Sequence, residues 1–236
     1  MIRYILLNAF IAIHSIFFCL WGILISLFDK EGSKVHRYCA VPWSKAILWV
    51  CGIRVTVSGI ERLTSHVPRI YMVNHQSFFD IFILLACLPV DFKFILKQEL
   101  MHIPLLGPAM RGAGYIAIER NDPREAVKSM NQAAKKIKDG TSVLLFPEGT
   151  RSVDGRLQAF KKGGFSLAVK AGCDIVPVAI VGSSRIAPKG SLKIRKGRVE
   201  MHIGKPLPLG GLGKRDIPGI MEAVRDVMLS VTETPS

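Results

Sequence analysis

Apolar positions run almost unbroken over residues 4–28, with only Asn8, His14, Ser15 and Ser26 as polar interruptions and no charge. At 1.5 Å rise per residue such a helix covers the ~30 Å of a bilayer's hydrocarbon core. It is too long for a signal-peptide core and no small-x-small cleavage site follows it cleanly, so it reads as a retained membrane anchor. Lys30, Lys34, Arg37 and Lys45 come next, and the positive-inside bias then expects a cytosolic body. A second apolar stretch, residues 41–53, carries Trp43 and Trp49. It is short for a span and reads as an interfacial or re-entrant helix, with an ordinary core helix as the alternative. The pattern divides the chain into an anchor of two helices (1–53) and a domain (54–236).

From residue 54 onward the apolar positions fall into short blocks. Residues 54–59 alternate, and 70–73, 92–96, 114–118, 142–146, 174–181 and 199–204 are brief apolar runs, all expected to be strands. Between them, 81–88, 105–110, 123–138, 163–171 and 217–231 have helical length or spacing. In 123–138, Ala126, Val127, Met130, Ala134 and Ile137 form the apolar stripe, Asp122 is placed to cap the helix and Gly140 to end it. Strands alternating with helices predict an α/β fold, a central mixed sheet flanked by helices, with the membrane-embedded helical anchor before it.

In open α/β sheets, ligands bind beyond the carboxyl ends of the strands. His75, Lys97, Arg120 and the run Glu148, Gly149, Thr150, Arg151 all stand just past predicted strand ends. His75 and Asp80 are the candidate catalytic pair. A carboxylate that takes one ring N–H leaves the other nitrogen free to accept a proton. On one continuous helix, positions five apart point about 140° away from each other. They meet if His75 lies on the loop after a strand and Asp80 in the first turn of the next helix, with Ser77 as N-cap. The same Ser-x-x-Asp spacing also serves as a plain helix cap.

Composition narrows the setting. The 236 residues carry a net charge of +14, an isoelectric point near 9.8 and a mean hydropathy of +0.31. A chain both apolar and basic suits the surface of an anionic membrane better than nucleic acid, for which no zinc-finger or RNA-binding signature is present. Cys19, Cys39, Cys51, Cys87 and Cys173 are odd in number, lie in apolar surroundings and form no Cys-x-x-Cys pair, which expects reduced thiols on the cytosolic side. No metal-ligand cluster is visible, so no metal is expected. His14 lies in the anchor and His36 near the interface, and His66, His102 and His202 show no carboxylate at useful spacing. There is no Gly-x-Ser-x-Gly elbow of a serine hydrolase.

Four ordered motifs carry a family resemblance: Asn74-His75-x-x-x-x-Asp80; Gly114-x-x-x-Ile118-Glu119-Arg120; Phe146-Pro147-Glu148-Gly149-Thr150-Arg151; and Val176-Pro177-Val178. Together they resemble the glycerolipid acyltransferases, and most of all the bacterial lysophosphatidate acyltransferases. The motifs occupy residues 69–182, and the two amino-terminal helices are similar to that family's anchor. The chain departs from the usual second motif at Ala117, where an aromatic residue is common, and at Glu119, where Asp is common; this bears on acyl or acceptor preference. The resemblance implies transfer of a fatty acyl group from acyl-CoA or acyl carrier protein to the sn-2 hydroxyl of lysophosphatidate, giving phosphatidate, at an inner (cytoplasmic) membrane and without a cofactor. His75 is then the general base and Asp80 its orienting carboxylate. Arg120 and Arg151 bind the acceptor phosphate with Lys97 as a helper, and Glu148, Gly149 and Thr150 shape the acceptor site. Another acceptor, such as glycerol 3-phosphate or a different lysolipid, and a non-catalytic basic membrane-binding protein are the alternatives.

Overall fold

A computed structural model of the chain describes residues 1–63, 67–119 and 122–233, with Pro123 by its backbone alone. Among them, seven strands form one sheet in the order β1-β7-β6-β2-β5-β3-β4. The strands are β1 (Ile53–Ser58), β2 (Ile70–Val73), β3 (Lys93–Lys97), β4 (Ile116–Ile118), β5 (Val143–Leu145), β6 (Ile175–Val181) and β7 (Gly197–Ile203). β6, β2, β5, β3 and β4 are parallel neighbours; β7 runs antiparallel to β6 and parallel to β1. The sheet is mixed, as expected. The start of β7 therefore lies at the same edge of the sheet as the carboxyl end of β6.

Helices cover both faces. The chain runs through α1 (Ile2–Ser26), α2 (Ser33–Val35), α3 (Val41–Cys51), α4 (Phe79–Cys87), α5 (Leu106–Gly112), α6 (Pro123–Lys138), α7 (Lys162–Ala171), α8 (Ser183–Ile186) and α9 (Ile217–Thr232). Successive strand residues point to opposite faces. Tyr71 and Val73 of β2 enter one core with α3 and α4. Ile70 and Met72 enter the other with α6, α7 and α9. Three strands, β2, β5 and β6, are buried at every residue or nearly so, which is why they read as apolar runs and not as alternation.

α6 begins and ends as its sequence predicts: Asp122 accepts from the N–H groups of Arg124 (2.7 Å) and Glu125 (3.1 Å). α3 shows a buried face, with Ile47 and Cys51 fully inside and Trp43 edge-on to Phe82 of α4 at 5.0 Å. Its Trp49 is turned outward, 81% exposed. α1 is long and apolar enough to cross a membrane and mostly exposed, with Leu7 and Gly22 as its buried residues.

Pairing of β2 with β6 ends at Val73 and Val178. Beyond that point the buried side chain of Asn74 continues the ladder. Its Nδ2 donates to the Ile180 carbonyl (2.9 Å) and its Oδ1 accepts from the Ile180 N–H (2.7 Å). The chain can thus turn away from β2 without orphaning the neighbouring strand. Asn74→Ala removes both partners from buried backbone groups, each loss worth about 1–3 kcal/mol. A urea titration in detergent should lose about 2–4 kcal/mol of stability for Asn74→Ala, and an unchanged midpoint would refute this bridging role.

Candidate active site

His75 is the second residue after β2, following Asn74, and Asp80 is the second residue of α4. His75 Nδ1 and Asp80 Oδ2 are 2.8 Å apart, with the carboxylate fully buried and the imidazole 14% exposed. Oδ2 also accepts the backbone N–H groups of Gln76 (2.7 Å) and Ser77 (2.8 Å). Ser77 Oγ accepts from Phe79 N–H (3.2 Å) and donates to the Ala187 carbonyl (2.8 Å). The cap and the dyad are one structure: the carboxylate that closes the turn also takes the imidazole. With Nδ1–H donated to Asp80, Nε2 is left as the proton acceptor. The ring stacks on Phe146 at 3.8 Å between centroids and 12° between planes, which fixes the remaining rotation.

The loop after β5 lies beside this turn because β5 is a direct neighbour of β2. Glu148, 2% exposed, accepts the His75 backbone N–H at Oε1 (2.6 Å) and the Gln158 N–H at Oε2 (2.8 Å). Ser152 N–H donates to the His75 carbonyl (2.7 Å). Both polar backbone groups of His75 are therefore held by the Glu148–Ser152 loop. Burial raises the Glu148 pKa above its ordinary value, opposed by the N–H donors of Gln158 and His75. The resemblance puts Glu148 among acceptor-shaping residues; its oxygens instead face backbone. Gly149 has φ of +71°, and a Cβ there would stand 3.0 Å from Cδ of Lys161, so the glycine permits the turn and the overlying lysine stem.

Thr150 is exposed and Arg151 half-buried. Lys189, which the sequence reading passed over, donates from Nζ to Thr150 Oγ1 (3.2 Å) and to the Arg151 carbonyl (2.9 Å). It lies 39 residues from Thr150 in the chain, between Pro188 and Gly190, and no local spacing signals it. Lys97 ends β3, exposed, on the same sheet edge. β3 is two strands from β2, which places it about 10 Å across the sheet. Arg120 and His66 lie outside the described residues.

The other polar candidates fall away from this edge. His202, expected to lack a carboxylate, has Glu200 at 3.1 Å; residues two apart on a strand share a face. His36 has Asp91 at 3.8 Å. The free thiol of Cys173 is pushed up by burial to about 11, so little thiolate exists at neutral pH. Among the described residues, no group of three or more His, Cys, Asp or Glu side chains is placed to hold a metal ion.

Comparison with known proteins places the chain in a family. The chain is 40% identical over 185 residues to the chloroplastic 1-acyl-sn-glycerol-3-phosphate acyltransferase LPAT1 of Arabidopsis thaliana, covering 78% of this chain and 51% of that protein. It is 33% identical over 186 residues to 1-acyl-sn-glycerol-3-phosphate acyltransferase alpha of Ovis aries, covering 78% of this chain and 65% of that protein. The chain thus spans about half the length of the plant relative. The crystal structure of the 1-acyl-sn-glycerophosphate acyltransferase PlsC from Thermotoga maritima superposes with a TM-score of 0.82 at 28% identity, covering 98% of this chain and 95% of that one. A family model described as Acyltransferase matches residues 54–181, over half of the chain, a range that includes His75, Asp80 and Glu148. By that match the chain belongs to the acyltransferase family.

Proposed function

We propose that the protein transfers a fatty acyl group from an acyl thioester, carried by coenzyme A or acyl carrier protein, to the sn-2 hydroxyl of lysophosphatidate. The observation that carries this reading is the buried 2.8 Å contact between His75 Nδ1 and Asp80 Oδ2 at the carboxyl edge of the sheet, in a chain of the acyltransferase family. The names of the relatives supply the acceptor.

His75 Nε2 removes the hydroxyl proton as the alcohol oxygen attacks the thioester carbonyl. The tetrahedral intermediate collapses, the C–S bond breaks, and the thiolate takes the proton back from the imidazolium. Asp80 holds the tautomer and stabilises the imidazolium, the role of the carboxylate in a serine-protease triad. The hydroxyl belongs to the substrate, so no acyl-enzyme forms and no cofactor is used. Arg151 grips the acceptor phosphate as a forked, permanently charged donor. Thr150, Lys97 and Arg120 assist it, and Gly149 gives the loop its close approach. Glu148 acts through His75 as a positioning residue. Residues 1–53 serve as the anchor to the cytosolic face of the inner membrane, and 54–236 as the acyltransferase domain.

With lysophosphatidate as acceptor and both donors compared, His75→Ala should lower kcat roughly 10²–10⁴-fold, and Asp80→Asn should follow it. Retained activity in His75→Ala, or wild-type preference for glycerol 3-phosphate or another lysolipid, would overturn the proposal. Arg151→Ala should raise KM for lysophosphatidate roughly ten- to hundredfold, in line with about 1.5–3 kcal/mol for a charged hydrogen bond, and Arg151→Lys should restore part of it. An equal KM effect on a phosphate-free lysolipid would remove the phosphate role. Glu148→Gln presents an amide N–H₂ to one of two backbone donors and should cost about 1–3 kcal/mol. The folded pKa of Glu148 is raised, so the stability linked to its protonation is present in full below its ordinary 4.5 and is lost as pH rises through the raised value. The stability gap between wild type and Glu148→Gln, followed by chemical denaturation against pH, should change in that window and be flat well above it.

A further inference from the structure

The segment between α8 and β7 ties the acceptor loop to the amino-terminal helix. Ala187 is held by Ser77 and Lys189 by Thr150 and Arg151. Three residues further on, the Leu192 carbonyl accepts from Asn8 Nδ2 of α1 (2.9 Å). Next, Gly197 N–H donates to the Gly52 carbonyl at the end of α3 (3.3 Å), and the Lys196 stem lies against Gly52. β7 then pairs with β1, setting Arg198 beside Arg54.

Residues 1–28, 41–60 and 187–199 meet at this corner and carry no Asp or Glu; the next residue of β7, Glu200, shares a face with Arg198 and is met by His202 at 3.1 Å. Lys193, Arg195, Lys196, Arg198 and Arg54 are exposed, and so is Arg3. Two large apolar side chains stand out among them, Leu192 at 77% and Trp49 at 81% exposure. The exposed apolar surface of α1 flanks Asn8, with Ile2, Ile5 and Leu6 before it and Ile13 after it. Basic side chains around a projecting Trp and Leu, continuous with a long apolar helix, match the layered chemistry of an anionic bilayer: headgroup phosphates above, acyl chains below.

We propose that the 189–198 segment, with Trp49 and Arg54, is a docking surface for anionic phospholipid headgroups. It rests on the acyltransferase reading only for its purpose, which is to set the His75 edge of the sheet against the bilayer that holds the acceptor. An acidic carrier protein would satisfy the charges but has no use for Leu192 and Trp49 beside α1.

The test is competitive partition of the full chain without substrate. Protein diluted from detergent meets two vesicle populations, one of phosphatidylcholine and one of equal parts phosphatidylcholine and phosphatidylglycerol, separated by sedimentation after sucrose loading of one. The α1 anchor contributes to both, so the ratio reports headgroup charge. Wild type should favour the anionic vesicles, less so at high salt. Lys193→Gln/Arg195→Gln/Lys196→Gln should reduce the anionic-to-neutral ratio roughly hundredfold, from about fivefold per basic residue near an anionic surface. The same charge change on α6, Lys135→Gln/Lys136→Gln/Lys138→Gln, should leave it nearly unchanged. An unaltered ratio in the first variant, or an equal fall in the second, overturns the proposal. So does a first variant that partitions like wild type but loses turnover with acyl carrier protein alone, which would assign the surface to that partner. Failure to acylate lysophosphatidate would refute the proposed reaction and leave the partition result standing.

Discussion

One buried carboxylate organises the site. Asp80 receives three N–H donors on a single oxygen, two from the backbone of the turn and one from His75. Removing a charge from water is costly unless donors meet it, and these do, at the amino end of α4 where the helix field also favours an anion. Its second oxygen, Oδ1, has no hydrogen-bond partner among the described residues. The turn cannot relax without exposing that charge to apolar surroundings, so the imidazole is held in place by the same energy that holds the fold.

The sheet order explains what surrounds it. β2 lies between β6 and β5, so the loops that follow those strands are the ones able to touch the turn after β2. From β6 come the Asn74 bridge to Ile180 and, through the next segment, Ala187 on Ser77. From β5 come Glu148 and Ser152 on the backbone of His75 and Phe146 on its ring. A strand leading to His75 from the sheet's edge would have only one such neighbour. In the centre it has two, and each of the His75 backbone groups and both faces of the turn can be fixed from outside.

The parts legible in the sequence are those whose partners are close along the chain. The spacing of His75 and Asp80 predicts their contact because five residues suffice for a strand end, a turn and the start of a helix. The strands and α6 were readable because burial on one or both faces writes itself as apolar runs or a 3.6-residue stripe. Glu148 marks the opposite case. Its importance is suggested by the family motif, but its partners are 73 residues back at His75 and ten forward at Gln158, and neither distance leaves a periodic trace. Lys189 is hidden for the same reason. α3 was ambiguous because a short apolar run with two tryptophans fits either a bilayer surface or a core. The structure divides the two rings, Trp43 against Phe82 and Trp49 outward.

The placement of α1 follows from contacts at both ends. Leu7 reaches the core shared with α3 and α4, and near the other end a Cβ on Gly112 of α5 would stand 2.5 Å from Ser26. Between them, Trp43 donates to Ser15 (3.1 Å) and Cys39 to the Phe18 carbonyl (3.0 Å). A helix of 25 residues, about 37 Å long, held by one side along that distance cannot swing as a tethered anchor would. Whatever apolar medium meets its free face also sets the angle of the sheet behind it. The edge bearing His75 is then oriented by the same body that holds the helix, because the contacts at Leu7, Ser15, Phe18 and Ser26 tie the helix to the domain along its length.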